Sequence, residues 1–476
     1  MATNSLADFL EQLEQAGQLL RIKTEVDPEL ELAAAVEQAT KDGNRAVFFE
    51  RLKGHRPPVV ANLLGTPERI CRLLDVESLA EATDRVARAL APREADNWLG
   101  RIRPQAPLDL KPRTVKLGPA QQVVKLGRDV DLAELPALRA WPLETRRSIR
   151  AGHVLTRDPD SQRLALETIP LEIVDRDRLY VHLHAQHDAG RTWQKHLASG
   201  VNLPMAVVLG GDPVYALAGA RLPEAVDRVA WAGLLRGRPI ELVKCRTHEL
   251  EVPADADIVV EGFLDPSEAP AEGGLLAGDN GYYLPIGLVA TMHVTAITER
   301  TNPIVPALVM GLGTHEATVI EQALSRMLLP LVRAAVPEVV DYALAEAGGW
   351  QNCLAVAIRK TRAFESRKVA AALWGYDQTM FAKLLVLVDA TVNVHDPRQV
   401  LAALSANFDP ARDLLAHDGP SWPLDTAVAS AVGAGRRLAL DATIKLPGEV
   451  ASGAKRLAPS EEVEKGLAAR WKELLG

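Results

Sequence analysis

The sequence has few cysteines, few aromatic residues and no long apolar run, and each scarcity excludes a class of protein. Its three cysteines, Cys71, Cys245 and Cys353, are far apart and form no CxxC pair, which argues against a disulfide framework and a thiolate metal site. Aromatic residues make up 4% of the chain, and no stretch approaches the ~20 apolar residues that a membrane span needs. Because the N-terminus has no basic segment followed by an apolar run, we expect no signal peptide and a cytoplasmic protein.

The charge balance also excludes some partners. The formal net charge is −8 and the sequence pI is about 5.8. The chain therefore lacks the basic surface of a nucleic-acid-binding protein and the Lys/Arg clusters that hold a protein on an anionic membrane. What the sequence does contain is apolar material, since 47% of its 476 residues are hydrophobic, and at roughly 100–200 residues per domain we expect two to four domains.

Helix-like and strand-like segments alternate towards both ends of the chain, and short strands dominate its middle. A Ser-capped amphipathic run from Ser5 to Gly17 predicts the first helix. In the middle, short β-rich runs separated by turns indicate a sandwich or a barrel. We predict an α/β protein, α+β overall, with an N-terminal α/β domain (1–114), a central β domain (115–315) and a C-terminal α/β domain (316–476).

The most suggestive stretch for chemistry is the glycine-rich loop Glu272–Tyr283. Its carboxylates, Glu272 and Asp279, are separated by glycines that let the backbone approach a ligand closely. Two carboxyl groups on such a loop suit proton donation and acceptance if their pKa values are pushed apart. From the pattern alone, the alternative is an acidic surface turn.

A second candidate is the segment His182-Leu-His-Ala-Gln-His187, with three histidines in six residues. We predict that His182 and His184 alternate along a strand and share a face, with His187 just past the strand end. Imidazole is the commonest metal ligand of its kind, but the segment lacks the HExxH spacing, so surface or packed histidines are the alternative. Near the C-terminus, Lys445 lies among turn-forming residues and is a candidate point charge for a phosphate, the alternative being simple exposure.

Blocks along nearly the whole chain resemble the UbiD-type decarboxylases, the family that uses prenylated FMN. The blocks occur in the family's order and are Leu6-Ala-Asp-Phe-Leu-Glu, Asp131-Leu-Ala-Glu-Leu-Pro, Ala232-Gly-Leu-Leu-Arg-Gly, Leu250-Glu-Val-Pro-Ala, Glu272–Tyr283, Asp409-Pro-Ala-Arg-Asp and Leu440-Asp-Ala-Thr.

The resemblance implies an N-terminal α/β domain, a central split β-barrel of the flavin-reductase-like type that holds the flavin, and a C-terminal α/β domain that forms a dimer. It implies reversible, non-oxidative decarboxylation of an aromatic or α,β-unsaturated carboxylic acid, and a flavin prenyltransferase that supplies the cofactor. The family's acid/base carboxylates correspond to Glu272 and Asp279. Its Gln–His pair at the cofactor corresponds to Gln186 and His187, the histidine also being a metal ligand, and its lysine near the flavin phosphate corresponds to Lys445.

Three positions depart from the family's pattern. An asparagine and an arginine that the family has five residues apart on a barrel strand correspond to Arg163 and Thr168, and threonine cannot form the bidentate pair with a carboxylate that arginine forms. A metal-binding glutamate corresponds to Arg228. Two of three metal ligands are thus replaced, which argues against bound Mn²⁺ or Mg²⁺ and K⁺. Our hypothesis is that Arg163 or Arg228 occupies the place of the metal and meets the flavin phosphate, because guanidinium suits bidentate phosphate recognition.

Three functions remain open from the sequence. The first, which we take forward, is a divergent carboxy-lyase that acts as a homodimer or higher homo-oligomer, with a hetero-subunit as a further option. The second is a non-catalytic partner subunit or binding protein that has lost metal and cofactor. The third is a flavin-binding protein without acid/base competence.

Overall fold

Helix α1 (Leu6–Gln15) forms where the sequence predicts it. The Ser5 hydroxyl accepts the N–H of Asp8 and so caps the first turn. Gly17 adopts a φ of 69°, a left-handed conformation that glycine tolerates and that turns the chain away from the helix axis. The chain enters a strand two residues later, at Leu19.

The structure is a computed structural model, and it describes residues 5–90, 110–219, 222, 226–278, 280–311, 315–344, 353–422, 425, 434–450, 457 and 460–474. Within these ranges, no helix is both long enough and apolar enough to cross a membrane.

The N-terminal part combines helices with a four-stranded sheet. Helices α2, α3 and α4 span Glu31–Lys41, Pro67–Leu74 and Leu79–Leu90, and strands β1, β2 and β3 span Leu19–Ile22, Ala46–Phe49 and Val59–Ala61. The fourth strand, β19 (Val305–Ala307), arrives from much later in the chain and pairs in parallel with β3. This pairing brings the segments that follow β3 and β19 to the same edge of the sheet.

A ten-stranded sheet forms the centre of the molecule. Its strands β5–β11, β14, β15 and β18 span Val123–Leu126, Ser148–Ile149, His153–Arg157, Leu164–Thr168, Leu171–Asp175, Arg178–Val181, Leu203–Leu209, Ile258–Leu264, Ala271–Glu272 and Leu288–Glu299. The order is β6-β9-β10-β18-β14-β11-β7-β8, with β5 and β15 also paired to β18. Every pairing is antiparallel, and the sheet curls into a half-barrel.

Smaller elements surround this sheet. Strands β4 (Arg113–Val115), β12 (Glu241–Lys244) and β13 (Glu251–Pro253) form a three-stranded sheet, and β16 (Leu275–Ala277) and β17 (Tyr283–Pro285) form a hairpin. Helices α5, α6 and α7 span Asp188–Ser199, Tyr215–Ala218 and Arg228–Arg236.

The C-terminal part is a second α/β layer. Its five strands have the order β20-β21-β22-β24-β23, where β20 to β24 span Val339–Leu344, Cys353–Ile358, Leu384–Asp389, Leu414–Pro420 and Ala434–Asp441. Helices α8 to α12 span Glu316–Ala335, Glu365–Trp374, Pro397–Asn407, Pro410–Asp413 and Glu461–Leu474. The predicted mixed α/β fold is thus confirmed, while the domain limits 1–114, 115–315 and 316–476 stay a prediction.

Two local predictions need correction. His182 and His184 do not lie in a strand, because β10 ends at Val181, where the next partner on β9 would be Pro170. Proline has no N–H to continue the ladder. The stretch Glu272–Tyr283 is no open loop either, because its residues Leu275–Ala277 pair with Tyr283–Pro285 to form the β16–β17 hairpin.

Candidate active site

A cavity of about 310 Å³ lies where the N-terminal, central and C-terminal parts of the chain meet. This volume falls at the lower end of the range of roughly 300–1,000 Å³ typical of ligand sites. Its apolar wall includes Leu64, Leu276, Leu284, Ile286, Leu308, Met310, Ile320 and Met380. The polar wall includes charged residues and histidines of the central part, together with Glu316, Glu321 and Asp377 of the C-terminal part.

A buried ion-pair network forms one side of the cavity. Arg228, the first residue of α7, is 4% exposed, and its Nε donates to Asp188 Oδ2 at 2.9 Å. Its Nη2 lies 2.8 Å from the same Asp188 oxygen and 3.2 Å from Glu167 Oε1. Burial raises the pKa of Glu167, and the Arg228 guanidinium opposes that shift. Arg228 therefore serves as the counter-ion for two carboxylates and ties β8 to α5 and α7.

Glu167 also caps helix α5. Its carboxylate accepts the N–H groups of Asp188 and Ala189 at 3.1 and 2.8 Å, which are among the first-turn donors that a helix leaves unsatisfied. The anion-binding end of α5 is thus already occupied by a side chain of the protein.

The predicted cofactor residues Gln186 and His187 lie at this end of α5 and line the cavity. Gly190 permits the close approach, because a Cβ there would lie only 1.9 Å from the carbonyl oxygen of His184. Any larger residue would push α5 away from the segment that carries the histidines.

Two further histidines of the wall are held neutral. Burial lowers the pKa of His153 to about 4, and burial, assisted by His187, lowers the pKa of His184 to about 4. The Nδ1 of His153 shares a hydrogen bond with the Thr168 hydroxyl at 3.1 Å. Neutral imidazoles can donate or accept one proton each, which suits acid–base chemistry.

His182 is the least satisfied polar group of the wall. It is 2% exposed, burial lowers its pKa to about 3, and neither ring nitrogen has a hydrogen bond to a described residue. Its Nε2 lies 3.8 Å from Glu172 Oε1, which is beyond hydrogen-bond reach. A buried polar edge of this kind needs a partner, and the cavity is where a ligand or water can supply it.

Arg150 brings a second guanidinium to the cavity. Its side chain is 10% exposed, Nη1 donates to the Ala277 carbonyl at 2.8 Å, and Glu144 Oε1 lies 4.0 Å away. The Ala277 N–H in turn donates to Glu144 at 3.1 Å. Arg150 and Glu144 therefore hold the β16–β17 hairpin against the cavity.

The β16–β17 hairpin presents apolar side chains to the cavity. Leu276 and Leu284 line it. Glu272 is exposed at the end of β15, where it pairs with Leu288 of β18, and does not line the cavity. Asp279 lies outside the described residues. A proton-transfer role for Glu272 and Asp279 stays a prediction.

Arg163 and Lys445 do not line the cavity either. Arg163 is exposed just before β8, whereas Thr168 at the other end of β8 lines the cavity, and five residues of strand span about 16 Å. The Nζ of Lys445 donates to the Asp441 carbonyl at 2.7 Å and lies 3.2 Å from Asp413 Oδ2. Of the predicted cofactor residues, the structure brings together Gln186, His187 and Arg228.

Sequence reasoning missed Glu167, Asp188, Arg150 and His153. One signal was present in the sequence, because Glu167 is a charged residue in an otherwise apolar strand and Arg228 stands where a carboxylate was expected. Nothing in the local pattern indicated Arg150 or His153.

The arrangement suits a flavin better than a divalent cation. The cavity offers an apolar wall, guanidinium groups and the unsatisfied imidazole of His182. A cation beside His187 would compete with Arg228 for Glu167 and Asp188, and with Arg191 for Asp188. Among the described residues, His187 also belongs to no group of three close His, Cys, Asp or Glu ligand atoms.

Comparison with known proteins gives consistent matches along the chain. Family models of 3-octaprenyl-4-hydroxybenzoate carboxy-lyase match residues 10–92 (N-terminal domain), 113–313 (Rift-related domain) and 318–442 (C-terminal domain). An uncharacterized protein of Aquifex aeolicus is 37% identical over 447 residues, which is 92% of each chain.

Two solved structures are similar over almost their whole length. The vanillic acid decarboxylase of Sedimentibacter hydroxybenzoicus in its closed form is 27% identical with a TM-score of 0.89, covering 100% of this chain and 99% of that one. An evolved dimeric form of the UbiD-class enzyme HmfF from Pelotomaculum thermopropionicum, in complex with prenylated FMN, is 27% identical with a TM-score of 0.79, covering 97% and 98%.

The lowered pKa of His182 predicts how the stability of the fold depends on pH. A histidine whose pKa is lowered on folding stabilises the native state above its unfolded pKa of about 6.5, and this contribution is lost as pH falls towards the folded value. His182→Leu should therefore lose less stability than the wild type between pH 7 and pH 5, by about 2 kcal/mol. Urea unfolding at both pH values measures this, and equal losses would show that folding does not lower the pKa of His182.

Proposed function

Because the chain belongs to the UbiD family of carboxy-lyases, we propose that it catalyses the reversible, non-oxidative decarboxylation of an aromatic or α,β-unsaturated carboxylic acid with prenylated FMN. The observation that carries this proposal is the cavity, in which Gln186, His187 and Arg228 meet beside an apolar wall. The bound prenylated flavin would supply an electron sink for the departing carboxylate.

The residues proposed to hold the flavin surround the first turn of α5. Gln186, His187 and Arg191 line the cavity there, and the Arg191 Nη1 donates to the Gln186 carbonyl at 3.0 Å. His182 offers unsatisfied ring nitrogens to a polar edge. Arg163 and Lys445 do not line the cavity. They could contact the cofactor only in another conformation of the protein, and we include them in the proposal on that condition.

Arg150 is our candidate for the substrate carboxylate. Thr168 stands where the resemblance places an arginine, so the cavity needs another guanidinium for this task. Arg150 lines the cavity and, at 10% exposure of its side chain, is well shielded from water. Arginine forms bidentate pairs with carboxylates, and a shielded pair of this kind orients the acid with its chain against the apolar wall.

We assign proton transfer to Glu272 and Asp279. His184 is the alternative proton donor. A proton must reach the carbon that loses CO₂. Glu272 lies on β15 outside the cavity lining, whereas His184 lines the cavity but is neutral and would have to take up a proton before delivering one. Glu272→Gln and His184→Gln, measured side by side, decide which group carries the proton.

We further propose that the site works without a divalent metal. Arg228 lies between Glu167 and Asp188, and Arg191 also pairs with Asp188, so two guanidinium charges balance the two carboxylates without Mn²⁺ or Mg²⁺. The proposal also includes a homodimer, a flavin prenyltransferase as supplier of the cofactor, and a cytoplasmic location, which agrees with three free thiols.

The activity test uses protein co-expressed with a flavin prenyltransferase. We expect a coloured protein that releases CO₂ from at least one member of a panel of hydroxybenzoic and α,β-unsaturated acids. Arg150→Met should lower kcat/KM about 10²-fold, because it removes the charged partner of the substrate. Arg147→Met, a nearby arginine outside the cavity, is the control. A colourless protein without turnover would favour the non-catalytic partner subunit.

A second test asks whether replacing Arg228 with a carboxylate creates a metal site. Arg228→Glu places a third carboxylate beside Glu167 and Asp188, so this variant should gain Mn²⁺ binding, while Arg228→Gln should not. Metal analysis and the electron paramagnetic resonance of Mn²⁺ after dialysis measure the difference. The proposal fails if the wild type itself holds one Mn²⁺ per chain that EDTA removes together with the flavin.

A further inference from the structure

Away from the cavity, three side chains of metal-ligand type converge on one point. Cys245 directly follows β12, His248 lies three residues later in the same loop, and Glu261 belongs to β14. One candidate ligand atom from each residue lies within 4.8 Å of the other two. We propose that Cys245, His248 and Glu261 bind one divalent ion of the zinc class.

The hydrogen bond of His248 decides which ring nitrogen faces the ion. Its Nε2 lies 3.1 Å from the carbonyl oxygen of Met205, and because a carbonyl only accepts, Nε2 carries the proton and Nδ1 keeps a lone pair. Nδ1 is shielded from solvent and has no hydrogen bond to a described residue. Metal-binding histidines almost always donate their other N–H to a carbonyl or carboxylate in this way, so His248 has the tautomer and orientation of a ligand.

Glu261 is fully buried and is held by the same loop. Its Oε2 accepts the N–H groups of Arg246 and Thr247, both at 2.8 Å, and the Thr247 hydroxyl at 2.9 Å. Its Oε1 accepts one N–H, from Arg246 at 2.9 Å, and so retains a lone pair for an ion. Ligating carboxylates are commonly oriented by hydrogen bonds of this kind.

The loop itself is fixed before any ion binds. The Cys245 N–H donates to the Leu250 carbonyl at 2.8 Å, and the hydroxyls of Thr247 and Thr295 share a hydrogen bond at 2.8 Å. A site formed in advance loses little conformational entropy on binding, which favours affinity.

The donor set selects the class of ion. One sulfur, one imidazole nitrogen and one carboxylate oxygen are the ligands that Zn²⁺ takes in proteins, usually with tetrahedral geometry. Mg²⁺ and Ca²⁺ prefer oxygen ligands throughout. Binding would displace the proton of the Cys245 thiol to solvent, and because His248 is partly exposed, water can complete the fourth position.

The site would join two sheets and is separate from the cavity. Cys245 and His248 follow the three-stranded sheet, whereas Glu261 lies in the ten-stranded sheet. None of the three lines the cavity, and on β11 five residues, about 16 Å of strand, separate Met205 from Gly210 at the cavity. The proposal therefore does not depend on the proposed function.

Cobalt titration of protein stripped of metal tests the site. The wild type should bind about one Co²⁺ per chain with a near-ultraviolet thiolate-to-cobalt band, and added Zn²⁺ should abolish that band and raise the unfolding temperature. Cys245→Ser should lose the band, and His248→Gln should weaken binding by at least about tenfold. Cys71→Ser removes an equally buried thiol elsewhere and should behave as the wild type.

Two outcomes would overturn the proposal. If the wild type shows no thiolate-to-cobalt band, the three side chains form a hydrogen-bonded network without an ion. If the band persists unchanged in both Cys245→Ser and His248→Gln, the metal binds elsewhere. Circular dichroism of each variant before titration separates lost binding from lost folding.

Discussion

The arrangement of the cavity depends on one buried guanidinium. Arg228 lies between Glu167 on β8 and Asp188 on α5, and Glu167 in turn caps the helix that carries His187. Removing one partner of a buried ion pair typically costs about 3–5 kcal/mol, because the remaining charge is left uncompensated. The strand, the two helices and the predicted cofactor residues therefore keep their relative positions only while this network is intact.

The protonation state of the other residues in the cavity wall depends on their burial. Burial keeps the neighbouring histidines neutral, so the fixed positive charges at the cavity come from arginines. Arg150 donates to the Ala277 carbonyl of the apolar hairpin, and its side chain is shielded from water. A partly apolar cavity that includes guanidinium groups suits a carboxylic acid with an aromatic or unsaturated chain. The candidate zinc-class site lies on another part of the central sheet and affects this chemistry only through the stability of the fold.

The sequence predicts the elements of this fold better than the contacts between them. The cap of α1 is local, so the spacing of apolar residues after Ser5 suffices to place that helix. The resemblance names Gln186, His187 and Arg228, which line one cavity, and their cofactor roles stay a prediction. It could not place the Glu272 side chain, because one residue of register in a strand turns a side chain to the opposite face. The pairing of Arg228 with Glu167 joins residues 61 positions apart, and only the folded chain shows that contact.

We propose that the Arg228 guanidinium, and no divalent metal, lies between Glu167 and Asp188. Anomalous X-ray diffraction at the manganese edge, from crystals of the flavin-loaded protein grown with Mn²⁺, tests it most directly. We expect no anomalous peak between Glu167 and Asp188, and clear density for the Arg228 guanidinium in contact with both. A peak coordinated by Glu167 or His187, with Arg228 displaced, would contradict the account.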